Sequence, residues 1–145
     1  ILTGLILLAL AGYKLELHPG PGDVLLCLLF ILSASIMLTG IFLGLTSASF
    51  WFEDRVGFAP PVFNFMAFGR YPMTIFHRSV QVLMSTLLPF AFMSFYPSMI
   101  FLRDNPAASE FQVLAWMTPL VGLTAFVVGY GMWLLGLKSY RSTGS

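Results

Sequence analysis

Long apolar intervals separated by short polar segments set the pattern of this chain. Three intervals contain no Asp, Glu, Lys, Arg or His: Val24 to Phe52, Ser79 to Leu102, and Phe111 to Leu137. A helix of about 20 mainly apolar residues can cross the hydrocarbon core of a bilayer, which is about 30 Å thick. The pattern therefore predicts an all-α integral membrane protein, a bundle of about three complete transmembrane helices.

The segments around these intervals predict partial spans and loops. The apolar run from Ile1 to Gly12 is too short for a complete span, so we expect it to be the end of a preceding one. Residues 13–23 collect charges, two prolines and two glycines, which predicts a loop. Residues 56–72 hold three prolines among aromatic side chains, and we expect a short interfacial helix there. We then expect residues 1–145 to be a single transmembrane domain, the C-terminal part of a larger membrane protein.

Prolines also mark the predicted span over Ser79 to Leu102, which is the third span when the partial one at the start of the chain is counted. Pro89 and Pro97 lie inside the second of the long intervals. A proline in a membrane helix removes a backbone donor and kinks the axis, which neighbouring helices can compensate. The sequence predicts a bent helix to about Phe95, then a short re-entrant segment toward Leu102. Asn-Pro at 105–106 predicts the start of the last helix, which should end near residue 137.

Composition excludes a water-soluble domain. Hydrophobic residues make up 58% of the chain and charged residues 9%, with a mean hydropathy of +0.88, whereas soluble domains carry about 25% charged residues. The net charge of +1 does not indicate a nucleic-acid binder. Cys27, the only cysteine, lies in an apolar interval, so neither a disulfide framework nor a thiolate metal cluster is predicted.

Lysine and arginine are distributed unevenly between the two sides that alternating spans create. One side carries Arg55, Arg70, Arg78, Lys138 and Arg141, and the other carries Lys14 and Arg103. Positive side chains concentrate on the cytoplasmic side of membrane proteins. We therefore expect a multi-pass protein of the cell (inner) membrane with residues 53–76 and the C-terminus in the cytoplasm.

Small residues in the first long interval predict close helix packing. Gly40 and Gly44 form a small-xxx-small pattern that Ser47 and Ala48 extend by one turn. Such patterns let two helix backbones approach closely. The partner is either another helix of this chain or the same helix of a second copy.

A polar stripe crosses the third span. Gln81, Ser85 and Thr86 fall on neighbouring turns, and such a stripe faces protein or a water-filled path in preference to lipid. Serine and threonine hydroxyls also commonly bond to their own helix backbone. Gln81 is therefore the better candidate for a functional contact.

Charged side chains gather at the predicted cytoplasmic span ends, where they either contact a partner or anchor the spans. They are Glu53, Asp54, Arg55, Arg70, His77 and Arg78. His77 is a lone histidine, because His18 lies on the opposite side in this topology, and a metal site needs several ligands. The sequence predicts neither a metal site nor catalytic residues.

Four runs resemble the C-terminal half of type-2 ABC exporter permeases. In chain order they are Arg70-Tyr71-Pro72-Met73-Thr74-Ile75-Phe76, Leu87-Leu88-Pro89-Phe90-Ala91-Phe92, Phe95-Tyr96-Pro97, and the closing segment from Trp133 to Ser145. They lie within residues 70–145, about half of the chain. Their order and spacing carry the resemblance, since each run alone is weak.

The resemblance implies a six-span permease subunit that works with a second permease subunit, as a homo- or heterodimer, and with two cytoplasmic ABC ATPases. ATP and Mg would bind to those ATPases, so no cofactor is expected in this chain. The family's fifth span matches the region from Arg78 to Phe95 and commonly borders the translocation path. By this resemblance Gln81, Ser85 and Phe92 are predicted path residues.

A rival interpretation is a membrane-embedded enzyme or an accessory assembly subunit. In it His77, Arg78, Glu53 and Asp54 converge at the cytoplasmic face and act on a lipid headgroup. An enzyme needs these charges in one pocket, whereas a permease needs them only at span ends.

Overall fold

The computed structural model describes residues 2–16, 18–51, 64, 71, 73–86, 89–102 and 108–139. Helices account for 87% of these residues, which contain no β-strand. In chain order the helices are α1 (Leu2–Lys14), α2 (Pro21–Ser47), α3 (Arg78–Thr86), α4 (Phe95–Phe101), α5 (Ala108–Trp116) and α6 (Thr118–Ser139). Single 3-10 turns lie at Ala48–Phe50, Met73–Ile75 and Phe90–Phe92. The all-α prediction is confirmed.

Two helical segments are long and apolar enough to cross a bilayer. The first is α2 with its following turn, Pro21–Phe50, with 30 residues and a mean hydropathy of 2.6; the second is α6, with 22 residues and 1.9. Both exceed the roughly 20 residues that a span needs. A third span is present if α3 and the segment Phe90–Phe101, which meet at 77°, count as one. The prediction of membrane-spanning helices is therefore confirmed.

Helix α2 begins earlier than the loop predicted over residues 13–23 allows. Pro21 occupies its first turn, where a missing N–H leaves no bond unmade. The carboxylate of Asp23 accepts a hydrogen bond of 3.0 Å from the N–H of Gly20, just before the helix. The Pro-Gly-Pro-Gly run thus starts the helix, and the loop is shorter than predicted.

Helices α2 and α6 pack against each other in a parallel orientation. Ser33 meets Gly122, Gly40 meets Gly129, and Phe50 near the end of the first span meets Gly136. The contacts advance along both helices in the same order, so the two helices run in the same direction. Two parallel spans need one return crossing between them, and the bent α3 segment is the apolar part of the described chain available for it.

The third span is broken, where the sequence predicted a bent helix to about Phe95. Helix α3 ends at Thr86, and a 3-10 turn follows Pro89. Pro89 has no N–H and cannot donate to the carbonyl four residues before it, which stops the helix. Pro97 does not bend α4, because it is the third residue of that helix and lies in the first turn, where proline is tolerated.

The last predicted span is divided as well. Helix α5 ends at Trp116 and α6 begins at Thr118, with Pro119 in its first turn. The short helices α4 and α5 pack together, and the rings of Phe95 and Phe111 lie 5.5 Å apart. The interfacial helix predicted over residues 56–72 lies outside the described residues, apart from two isolated positions.

Candidate functional site

The backbones of α2 and α6 are in direct contact at glycines. A Cβ atom added to Gly40 would lie 2.5 Å from the carbonyl oxygen of Ala125, and one added to Gly129 would meet the carbonyl of Gly40. Any side chain at either position would force the helices apart. At Gly44 a Cβ would lie 3.5 Å from the Cα of Gly129, which is an ordinary van der Waals distance. Of the two predicted packing glycines, Gly40 is therefore at the tightest contact.

Sequence reasoning missed the α6 side of this contact. Gly122, Gly129 and Gly136 recur every seven residues and are all buried. On α2 the buried small residues Ser33, Gly40 and Ser47 have the same spacing. A seven-residue repeat keeps one seam of a helix facing its partner. This seven-residue repeat is the signal in the sequence that could have indicated the α6 side of the contact. The prediction used the four-residue Gly40-xxx-Gly44 pattern instead.

An open groove of about 740 Å³ lies between the α2–α6 pair and the end of α3. From α2 and the 3-10 turn after it, the groove is lined by Gly40, Ile41, Gly44, Leu45 and Ala48. From α6 it is lined by Val121, Thr124, Ala125, Val128, Gly129 and Met132. The third wall is the broken span, which contributes Ser85, Thr86 and Pro89. The close helix contact forms the floor of the groove, and the break in the third span forms its rim.

Three hydroxyl groups line this groove, and each bonds to its own helix. The hydroxyl of Ser85 donates to the carbonyl of Gln81 over 2.7 Å, and that of Thr86 donates to the carbonyl of Val82 over 2.8 Å. The Thr124 hydroxyl lies 3.0 and 2.9 Å from the carbonyls of Leu120 and Val121. These bonds satisfy the hydroxyl protons and leave oxygen lone pairs toward the groove.

The predicted path residues lie in three different environments. Ser85 lines the groove. The side-chain amide of Gln81 donates to the carbonyl of Phe76 over 2.9 Å, near the start of α3. Phe92 is buried, with its ring 4.7 Å from the ring of Tyr96. The structure therefore brings only Ser85 to the groove, and Thr86, Thr124 and Pro89 join it there.

The charged residues predicted to contact a partner are only partly described. His77 and Arg78 are exposed at the start of α3, and the Nδ1 atom of His77 lies 3.1 Å from the Ser79 hydroxyl. Glu53, Asp54, Arg55 and Arg70 lie outside the described residues. Within the part of the chain that the structure describes, no three His, Cys, Asp or Glu side chains group to hold a metal ion.

Lipid-facing surface surrounds the helix pair and the groove. Leu25 and Leu32 on α2 are 73% and 62% exposed, and Leu135 on α6 is 59% exposed. Large apolar side chains at this exposure would be unfavourable in water and are favourable in contact with lipid tails. Apolar spans around an open groove define a helical membrane protein.

Comparison with known families identifies the family of this chain. The chain matches the family described as "ABC-2 family transporter protein" over residues 1–144, and it belongs to that family. It is thus a membrane permease of an ABC transporter, which favours the transporter interpretation over the membrane enzyme. The predicted resemblance to an ABC-2 type permease is confirmed. No curated protein and no solved structure matches the chain.

Proposed function

We propose that this chain is the permease subunit of an ATP-driven exporter and that the groove between α2, α6 and α3 forms part of its translocation path. The observation that carries this proposal is the position of the groove at a break in a span. Irregular backbone at membrane depth occurs where it is buried in protein or lines a cavity. The break at Pro89 borders the groove through Ser85, Thr86 and Pro89 itself.

The two sides of the groove differ in how firmly they are held. Glycine backbones hold α2 close against α6, and in this proposal the pair moves as one body. Helix α3 packs mainly against the 3-10 turn at Phe90–Phe92 and faces the pair across the groove. A displacement of α3 against the rigid pair would widen or close the groove. This is the motion that alternating access requires.

The energy for that motion would come from partners. In this proposal two cytoplasmic ATPase subunits bind ATP and Mg, and a second permease subunit completes the path. The cytoplasmic contact is assigned to His77 and Arg78 at the start of α3, together with Glu53, Asp54, Arg55 and Arg70. In this proposal the protein lies in the inner membrane of the cell with its C-terminus in the cytoplasm. This is the orientation predicted from the positive charges.

The groove can be tested with two neighbouring tryptophan substitutions on α6. Val128 lines the groove and is 62% exposed, whereas Val127 is 60% exposed and is not among the lining residues. Val128→Trp should fill the groove and abolish export, and Val127→Trp should face lipid and leave export intact. The assay is export from cells that co-express the permease with its ATPase.

Assembly is measured separately on the same variants. The full-length protein is co-purified with candidate ATPases, and ATP hydrolysis is measured with and without it. Both variants should retain the association. Export that survives Val128→Trp would exclude the groove as the path, and failure to associate with any ATPase would reject the exporter role.

A further inference from the structure

Among the described residues of the groove, the polar side chains present hydrogen-bond acceptors. A hydroxyl has one proton to donate and two lone pairs to accept with. The protons of Thr86 and Thr124 go to carbonyls of their own helices. In this arrangement each of these oxygens accepts a hydrogen bond from a molecule in the groove.

The Ser85 hydroxyl also presents a hydrogen-bond acceptor to the groove. It donates to the carbonyl of Gln81, and the Tyr96 hydroxyl lies 2.6 Å away on its other side. A carbonyl cannot donate, so both contacts are made when Ser85 donates to Gln81 and Tyr96 donates to Ser85. One lone pair of the serine oxygen is then left for a ligand.

The backbone at the rim adds to this asymmetry. Amide groups inside a helix are bonded to carbonyls four residues before them. Pro89 has no N–H, so it supplies no donor to the groove and gives none to the carbonyl of Ser85. The remaining lining side chains from α2 and α6 are aliphatic or glycine, except for the thioether of Met132, a weak acceptor.

Charge narrows the choice of ligand further. None of the described residues that line the groove is ionisable. A charged group in these surroundings would lack a counter-charge, and burying an unpaired charge is strongly unfavourable. The molecule in the groove must therefore be uncharged where it contacts these walls.

We propose that the groove binds an uncharged amphiphile that dissolves in the membrane and carries hydroxyl or N–H donors on an otherwise apolar body. The volume of the groove, about 740 Å³, falls within the range of roughly 300–1,000 Å³ that small-molecule sites have. The donors bond to the oxygens of Ser85, Thr86 and Thr124, and the apolar body contacts the aliphatic wall. That this amphiphile is the exported cargo rests on the function proposed above, whereas its binding does not.

The test compares probes that differ only in the donor. Full-length protein in lipid nanodiscs is photolabelled with a diazirine-bearing hexadecanol, with its methyl ether, and with the matching carboxylate and trimethylammonium compounds. Labelled peptides are mapped by mass spectrometry. The alcohol should label the groove peptides of α6 about five-fold more than its methyl ether, the effect of about one hydrogen bond. Both charged probes should label them less than the alcohol.

Matched variants assign the preference to the groove. Thr86→Val with Thr124→Val keeps the side-chain shape and removes two of the three acceptors, so the preference for the alcohol over the ether should fall. Thr39→Val is the control, because the Thr39 hydroxyl bonds to the Ser35 carbonyl in the same way but does not line the groove. Its labelling should be unchanged.

Three results would overturn the inference: equal labelling by alcohol and ether, stronger labelling by a charged probe, or an alcohol preference that is undiminished in the double variant. Absence of groove labelling by every probe would overturn it too. None of these measurements needs an ATPase. A selective groove in a protein that neither binds an ATPase nor exports would leave this inference standing and reject the proposed function.

Discussion

The hydroxyl oxygens of Ser85 and Tyr96 lie 2.6 Å apart and join the two sides of the broken third span. Ser85 belongs to α3 and Tyr96 to α4, on opposite sides of the break at Pro89. Tyr96 is buried, and its ring contacts Phe92 and Phe95. The bond therefore links the rim of the groove to the aromatic core beyond the break.

Removing this bond should loosen the bend without unfolding the core. Tyr96→Phe keeps the ring and its aromatic contacts, so we expect the free energy of unfolding in mixed micelles to fall by about 1 kcal/mol. Ser85→Ala should cost a similar amount, and the two changes together should cost little more than either alone. Tyr130→Phe is the control, since Tyr130 is 48% exposed on α6. Additive losses from Ser85 and Tyr96 would show that the two hydroxyls do not interact.

The glycine contact predicts opposite effects for two alanine substitutions on α6. A Cβ at Gly129 would clash with the Gly40 carbonyl, whereas one at Gly131 would have no atom within 4 Å. Gly129→Ala should destabilise the protein by about 1–3 kcal/mol, the usual cost of overpacking. Gly131→Ala should be neutral or stabilising by up to about 1 kcal/mol, because alanine favours helix. Both changes in the free energy of unfolding are measured by unfolding the variants in detergent.

A third substitution refines this comparison on α2. Gly44→Ala places a methyl group at ordinary van der Waals distance from Gly129 and the sulfur of Met132. Its cost should lie well below that of Gly129→Ala. If the two glycines prove equally sensitive, the helices approach more evenly than the structure shows, and the seven-residue seam is not their main contact.

Thr118 provides a prediction about a buried hydroxyl. Its side chain is fully buried at the start of α6, and its oxygen has no hydrogen-bond partner among the described residues. A buried hydroxyl without a partner costs about 1–3 kcal/mol. Thr118→Val removes the hydroxyl with little change of shape and should raise the melting temperature, whereas Thr118→Ser keeps the hydroxyl and should not. A lower melting temperature for the valine variant would point to an unseen partner.

The sequence predicted the spans well because their length and apolarity are local properties. The position of the break was not predictable from the presence of prolines alone. Pro89 stops α3 and Pro97 sits harmlessly in the first turn of α4, and the difference depends on where each helix begins. The described part of α3 reaches Thr86, and the next described residues, from Pro89, form a 3-10 turn.

The same break explains the mixed outcome for the candidate site. Ser85 and Thr86 lie on α3, where the predicted helical stripe holds, and both reach the groove. Phe92, a path residue by the family resemblance, lies beyond the break and is buried in the aromatic core. Gln81 bonds to the Phe76 carbonyl, a contact set by how the chain enters α3. A transport role for Gln81 and Phe92 stays a prediction.

The parallel arrangement of α2 and α6 makes membrane orientation testable with two cysteines. In a Cys27→Ala background, Tyr13→Cys marks the end of α1, where Tyr13 is 83% exposed, and Ser139→Cys marks the end of α6. The charge distribution places the first outside and the second in the cytoplasm. A membrane-impermeant maleimide added to intact cells should label Tyr13→Cys and should label Ser139→Cys only after permeabilisation.

A second pair separates the packing from the orientation. Parallel helices end on the same side of the membrane, so Ser49→Cys, just after α2, should behave like Ser139→Cys whichever way the protein is inserted. Labelling of both from outside would reverse the orientation and keep the parallel pair. Labelling of one from each side would contradict the parallel packing itself. The α2–α6 pair could not then form the floor of the groove as described, because that floor depends on glycine contacts that advance along both helices together.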